Sequence, residues 1–273
     1  MNNLPQDHLL MKLSDIARKA GKITLAYFRT STEVAEKADG SPVTKADQEA
    51  EAYIVDALRQ LYPDIPFIGE ESCTNAAPSQ LKRYWCVDPL DGTREFINNR
   101  PEYTVNIALV EDGYPIAGVI YAPALDHMYI GSMETGSYMK SRASGVFANH
   151  GFQRLPLTAD NMPFTVVMSR MHPTAGAEQG LLAELKAKRP DMMVRVLGSS
   201  IKFCMVADGS ADMYFRAGRT MFWDSAAGHI IAKAAGCKVV RWDSREELVY
   251  NTDALENPAF LVYNPKRWNE SSE

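Results

Sequence analysis

The chain has 273 residues, 46% hydrophobic and 23% charged, enough to bury a sizeable core and close to the upper limit for one cooperative domain. Lys and Arg number 29 against 34 Asp and Glu, a net charge of −5. That balance excludes the basic excess of a general nucleic-acid binder and suits a local carboxylate cluster able to hold a hard cation such as magnesium.

From Leu10, the apolar residues Leu13, Ile16, Ala17, Ala20, Ile23 and Tyr27 recur at steps of three and four, predicting an amphipathic helix that packs and carries no chemistry. The polar stretch Lys37-Ala38-Asp39-Gly40-Ser41-Pro42 leads to Thr44 and a second helical stripe, Ala50, Ile54, Ala57, Leu58 and Leu61, stopped by Pro63. Asp47 falls in the first turn of this helix. Residues 84–87 form a short aromatic and β-branched run that ends at Asp88-Pro89-Leu90-Asp91-Gly92-Thr93, so the acidic pair is expected on the loop leaving a buried strand. Residues 104–110 and 115–121 read as a hairpin about Glu111-Asp112-Gly113-Tyr114, with a third strand over 128–131. Two helices against an antiparallel sheet are expected for the first half.

Residues 141–158 are small and polar without periodicity, marking a junction between halves 1–145 and 146–273 of a single fold. Beyond it, strands are expected over 164–168, 193–196, 211–215 and 237–242, and helices over 178–188, 200–207 and 224–235. The four cysteines, Cys73, Cys86, Cys204 and Cys237, form no C-x-x-C pair and read as buried or incidental thiols of a reducing compartment. Residues 1–13 lack the charge and apolar core of a signal peptide, and no apolar run could span a bilayer, so a cytoplasmic location is expected. His8, His127, His150, His172 and His229 show no paired-ligand spacing, and no G-x-S-x-G elbow accompanies them, which leaves zinc hydrolysis and serine-triad chemistry without support.

Three acidic patches stand at strand ends or helix starts: Gly69-Glu70-Glu71-Ser72, Asp88 to Thr93, and Trp223-Asp224. Carboxylates distant in sequence and joined by the fold are the donors magnesium needs. Two ions about 3.5–4 Å apart could share one of them and clamp the attacking and leaving oxygens of a phosphoryl centre. Each patch also has a plainer reading: Asp224 as a helix N-cap, Asp47 as part of a capping box with Thr44, Glu70 and Glu71 as a solvated turn, Asp91-Gly92 as a turn dipeptide.

These three blocks, the last extended as Trp223-Asp224-Ser225-Ala226-Ala227-Gly228, look like the signatures of the inositol monophosphatase superfamily of magnesium-dependent, lithium-sensitive phosphatases, in order and spacing over nearly the whole chain. Ser41-Pro42-Val43-Thr44-Lys45-Ala46-Asp47, Thr93-Arg94-Glu95-Phe96 and Gly198-Ser199-Ser200-Ile201-Lys202-Phe203-Cys204 resemble its CysQ-type branch of 3′(2′),5′-bisphosphate nucleotidases. Those enzymes remove the 3′-phosphate of adenosine 3′,5′-bisphosphate, a by-product of sulfate assimilation and sulfotransfer. Gly69-Glu70-Glu71-Ser72 departs toward the inositol phosphatase form.

The resemblance implies an α+β fold, a layered α/β/α/β/α sandwich. It implies that Glu70, Asp88 and the Leu90 carbonyl hold one Mg2+, that Asp88, Asp91 and Asp224 hold a second with Asp88 bridging, and that Glu71 holds a third ion or its waters. Asp47 and Thr93 would orient and deprotonate the attacking water, with Glu70 and Asp91 completing the catalytic set and no covalent phosphoenzyme formed. Gly92 and Thr93 N–H groups would contact the phosphate, bordered by Glu70, Leu90 and Asp224. Lys202, with Ser199 and Ser200, is the candidate for the nucleotide's other phosphate, the alternative being a solvated helix residue. A haloacid-dehalogenase mechanism is rejected, since it needs its two aspartates two residues apart and Asp88 and Asp91 are three apart. The expected partner is a small phosphorylated substrate rather than a nucleic-acid polymer. The resemblance also allows a homodimer and peripheral attachment to the inner membrane, for which the sequence carries no basic amphipathic signature. An inositol or sugar monophosphate phosphatase, and a catalytically silent metal- or nucleotide-binding protein, stay open as alternatives.

Overall fold

The first apolar stripe folds as helix α1, His8–Tyr27, burying Leu10, Leu13, Ile16, Ala17 and Ala20. Our computed structural model describes residues 8–30, 34–37, 40, 42–72, 77–141, 151–157, 163–170 and 176–268. Cys73, His150, His172 and most of the expected junction lie outside the described residues. A small hairpin, β1 (Val34–Glu36) and β2 (Pro42–Thr44), leads into α2, Lys45–Leu61. Thr44 caps α2 in a full capping box: its hydroxyl accepts from the Ala46 N–H, and Asp47 accepts from the Thr44 N–H.

The chain continues through β3 (Phe67–Gly69), β4 (Arg83–Asp91), a short α3 (Thr93–Ile97), β5 (Thr104–Glu111), β6 (Tyr114–Ala122), β7 (His127–Ser132), β8 (Gly136–Ser141) and β9 (Gln153–Arg154). These seven strands form one sheet in sequence order, parallel only between β3 and β4. The expected antiparallel sheet is thus present, with one parallel edge strand added. Asp88 and Asp91 sit within β4 rather than on a loop beyond it. Asp88 pairs with Asn106 and Asp91 with Thr104, so β4 spends three residues where β5 spends two. This bulge is how a strand containing Pro89 turns two carboxylates toward one site.

The second half runs β10 (Thr165–Ser169), α4 (Ala177–Lys188), β11 (Met193–Leu197), α5 (Ile201–Asp208), β12 (Met213–Arg216), α6 (Phe222–Ala234), β13 (Lys238–Arg241) and β14 (Phe260–Tyr263). Its sheet has the order β11-β10-β12-β14-β13, with β14 antiparallel to both neighbours. α6 begins two residues before the predicted start. Asp224 is therefore not the N-cap, which is Met221, but lies in the first turn, where its carboxylate accepts from the Met221 N–H at 2.7 Å.

The apolar clusters give the layers. α1 and α2 pack on one face of the large sheet through Trp85, Val87, Val105, Ile107 and Val119. The opposite face, Tyr84, Cys86, Ala108 and Ile120, packs on α5 and α6, which rest in turn on Tyr214, Phe260 and Val262 of the second sheet. α4 closes that sheet's far side through Leu185 against Val166, Met213 and Leu261. The order α/β/α/β/α matches the expected sandwich, and α5 and α6 form the middle layer on which both sheets depend.

Candidate active site

Three elements bring the acids together. The bulged end of β4 supplies Asp88 and Asp91, the first turn of α6 supplies Asp224, and the turn after β3 supplies Glu70 and Glu71. One oxygen from each of Asp88, Asp91 and Asp224 lies within 4.8 Å of the others. Asp88 Oδ1 accepts from the Leu90 N–H at 2.9 Å, whereas Oδ2 is buried and accepts no hydrogen bond among the described residues. Asp91 accepts from the Ser200 N–H.

So many buried like charges push proton affinities upward. Burial, then the neighbouring Glu70, Asp91 and Asp224, raise Asp88 well above the usual carboxylate range. Burial lifts Asp91 to about 6 against the pull of Lys202, and burial with the adjacent Asp91 lifts Asp224 to about 8. A bound hard cation would relieve this repulsion and give Asp88 Oδ2 a partner, so the all-oxygen donor set fits a divalent ion such as magnesium.

Glu70 and Glu71 are not a solvated turn. Lys37, just past β1, places Nζ 2.7 Å from Glu70 Oε1 and 2.6 Å from Glu71 Oε1. Burial works against the lysine's charge, but the two carboxylates hold its pKa above the ordinary value. Beside the acids, Asp47 is fully buried at the head of α2. Its Oδ2 accepts from the Thr44 hydroxyl at 2.6 Å, while Oδ1 accepts from the Thr93 hydroxyl at 3.2 Å. Asp47 thus caps a helix and pairs with Thr93 at once. Thr93 Oγ1 also lies 3.3 Å from the Leu90 carbonyl.

Gly92, which leads into α3, adopts φ 93°, ψ 41°, a left-handed conformation. A Cβ there would stand 3.3 Å from the Glu102 carbonyl oxygen and from Ser199 Cβ. Glu70, Asp91 and Asp224 line a cleft of about 240 Å³ together with Glu95, Lys202 and Arg216. Lys202 of α5 is only 3% exposed, which rules out a solvated helix residue. Its Nζ donates to the Ser199 carbonyl and lies 5.3 Å from the Tyr214 ring centroid. Burial lowers its pKa to about 8, against the opposing pull of Asp91.

Ser199 borders the cleft with φ 49°. The Ser200 side chain is spent inside the fold: its hydroxyl donates to Asn106 Oδ1 at 2.8 Å and lies 2.9 Å from Thr104 Oγ1, leaving its N–H for Asp91. Arg216, at the end of β12, also lines the cleft and is buried. Sequence reading passed over Arg216 and Lys37. The available signal for Arg216 was a charge closing the apolar run Met213-Tyr214-Phe215; Lys37, in a polar stretch, offered none. His229 is buried in the core, its Nδ1 3.3 Å from the Tyr250 hydroxyl and its Nε2 3.3 Å from Glu247 Oε1.

The five-layer sandwich and a carboxylate cluster that could hold a metal suit a metal-dependent phosphatase. The chain belongs to the inositol monophosphatase family, whose model matches residues 6–271. It is 41% identical over 257 residues to the 3′(2′),5′-bisphosphate nucleotidase CysQ of Shigella flexneri, covering 93% of this chain and 99% of that protein. The crystal structure of CysQ from Bacteroides thetaiotaomicron superposes with a TM-score of 0.83 at 38% identity, over 96% of this chain and 99% of that one. An IMPase of Thermotoga maritima superposes with a TM-score of 0.73 at 25% identity, over 95% and 92% of the two chains. No helix among the described residues is long and apolar enough to cross a membrane.

Proposed function

We propose that this protein is a Mg2+-dependent 3′(2′),5′-bisphosphate nucleotidase that converts adenosine 3′,5′-bisphosphate to AMP and phosphate. The observation that carries the reading is a single cleft lined both by carboxylates of the acidic cluster, Asp91 and Asp224, and by the buried cations Lys202 and Arg216. A substrate with two phosphates suits both sets of groups, one phosphate drawn to metal held by the carboxylates and the other to the cations. A monophosphate would engage only one of the two sets of groups. The nucleotidase names of the relatives support the same choice.

In this reading Glu70, Asp88 and the Leu90 carbonyl would hold one Mg2+, and Asp88, Asp91 and Asp224 a second. Bound Mg2+ supplies Lewis acidity that activates water and neutralises charge on the phosphoryl oxygens. The Thr93 hydroxyl would orient the attacking water in line with the phosphorus, and Asp47, already accepting from that hydroxyl, would take up the proton. Gly92 and Thr93 N–H groups would bind the phosphoryl oxygens. An ion at Glu70, or a third at Glu71, would have to compete with the Lys37 ammonium.

Replacing Lys202 by Met tests the reading, because it removes the charge and keeps the length. The KM for adenosine 3′,5′-bisphosphate should rise by about tenfold or more, with hydrolysis of inositol 1-phosphate little changed. Equal losses on both substrates would contradict it.

A further inference from the structure

Glu51 stands one turn after Asp47 on α2 and is 2% exposed. Both of its oxygens serve the turn that carries Glu70 and Glu71. Oε2 accepts the Glu71 N–H at 2.9 Å, and Oε1 accepts the Ser72 hydroxyl. The other end of the turn is fastened to β4, where the Glu70 N–H donates to the Val87 carbonyl at 3.2 Å. Gly69 explains how the carboxylate comes so close. A Cβ at position 69 would meet Glu51 Oε2 at 2.7 Å, Cδ at 3.0 Å and Oε1 at 3.1 Å, and no other atoms rank nearer. Packing of α2 alone does not call for this residue: apart from Asp47, its buried neighbours Ala46, Ala50, Ile54, Val55 and Leu58 are apolar, and burying a carboxylate is costly unless its hydrogen bonds are made.

We propose that Glu51 is a positioning residue that fixes the Gly69-Glu70-Glu71-Ser72 turn so that the Glu70 and Glu71 carboxylates are held ready for metal. α2 would thereby set two parts of the site from one face, the Asp47–Thr93 pair directly and the Glu70 donor through Glu51. The inference rests on the reading of Glu70 as a metal ligand.

The test is Mn2+ binding to the full chain, followed by electron paramagnetic resonance without substrate, together with the Mg2+ concentration for half-maximal activity. Glu51→Gln preserves size but replaces one acceptor oxygen with an NH2 group that can accept neither hydrogen bond. It should weaken Mn2+ binding and raise the Mg2+ requirement by about tenfold, with kcat at saturating Mg2+ within about twofold of wild type. Ser72→Ala, which leaves Glu51 intact and removes one of its two bonds, should weaken Mn2+ binding by about threefold and covers the case in which Glu51→Gln fails to fold. Unchanged Mn2+ affinity in both variants, even with a lower Tm, would overturn the inference by reducing Glu51 to a structural role. Absence of Mn2+ binding by the wild-type protein would instead overturn the metal-site reading, and this inference with it.

Discussion

Asp88 is buried with one oxygen held by the Leu90 N–H, and the neighbouring Glu70, Asp91 and Asp224 raise its proton affinity further. Such a placement works against folding, and a bound cation would offset that cost. Asp88→Asn should therefore lower Mg2+-dependent phosphatase activity by more than about a hundredfold. The same change should raise the Tm of the metal-free protein by about 2–4 °C for each kcal/mol of repulsion relieved. Activity assays and thermal denaturation in a chelator check the two halves, and a falling metal-free Tm would contradict the electrostatic account. At this scale the acids were legible in the sequence because D-P-x-D-G-T and W-D are local, specific patterns. Arg216 and Lys37 were not, because each acquires its role from a contact made across the fold: with the cleft for Arg216, with the turn after β3 for Lys37.

Elements turn these residues toward one another, and their boundaries decide the geometry. Gly92 is the hinge between β4 and α3, and its left-handed backbone costs an L side chain about 1–2 kcal/mol before any collision. Gly92→Ala should lower the Tm by several degrees, at about 2–4 °C per kcal/mol, and should disturb the N–H groups proposed to bind phosphate. An unchanged Tm would show that the turn tolerates Ala. Long periodic elements such as α1 and α2 were readable from their apolar stripes. Phe260-Leu261-Val262-Tyr263 was not read as a strand, since a run of four apolar residues has no period to distinguish it. The plain N-cap reading of Asp224 failed for a related reason: Phe222 and Trp223 extend α6 backward, and apolar residues at a helix start give no boundary signal.

For the whole molecule, proton and metal binding are linked to stability. Asp91 and Asp224 have folded pKa values of about 6 and about 8, both raised above the ordinary carboxylate value chiefly by burial. Between the unfolded value near 4 and these folded values, the folded state holds protons that the unfolded state has released, so metal-free stability should fall as pH rises through that window. Mg2+ competes for the ionised carboxylates, and its stabilising effect should grow from pH 6 to pH 8. At a hundred times its Kd, a single bound ion adds about 2.7 kcal/mol. At pH 8 that should raise the Tm by about 5–10 °C, with a smaller gain at pH 6. Thermal shifts with and without Mg2+ at the two pH values measure this, and a gain larger at pH 6 would reverse the sign of the account. The sandwich itself was foreseen through family resemblance. The middle position of α5 and α6, on which both sheets rest, is a property of tertiary packing that no local pattern encodes.

The central claim is that the cleft selects a substrate with two phosphates. Its most direct test is phosphate release by the purified protein in Mg2+, with adenosine 3′,5′-bisphosphate and inositol 1-phosphate compared at equal concentrations. The account predicts a strong preference for the nucleotide, with AMP as the organic product. A preference for inositol 1-phosphate would contradict the specificity assigned to Lys202 and Arg216 while leaving the acidic site intact, and no release from either substrate would contradict the assignment of this phosphatase activity.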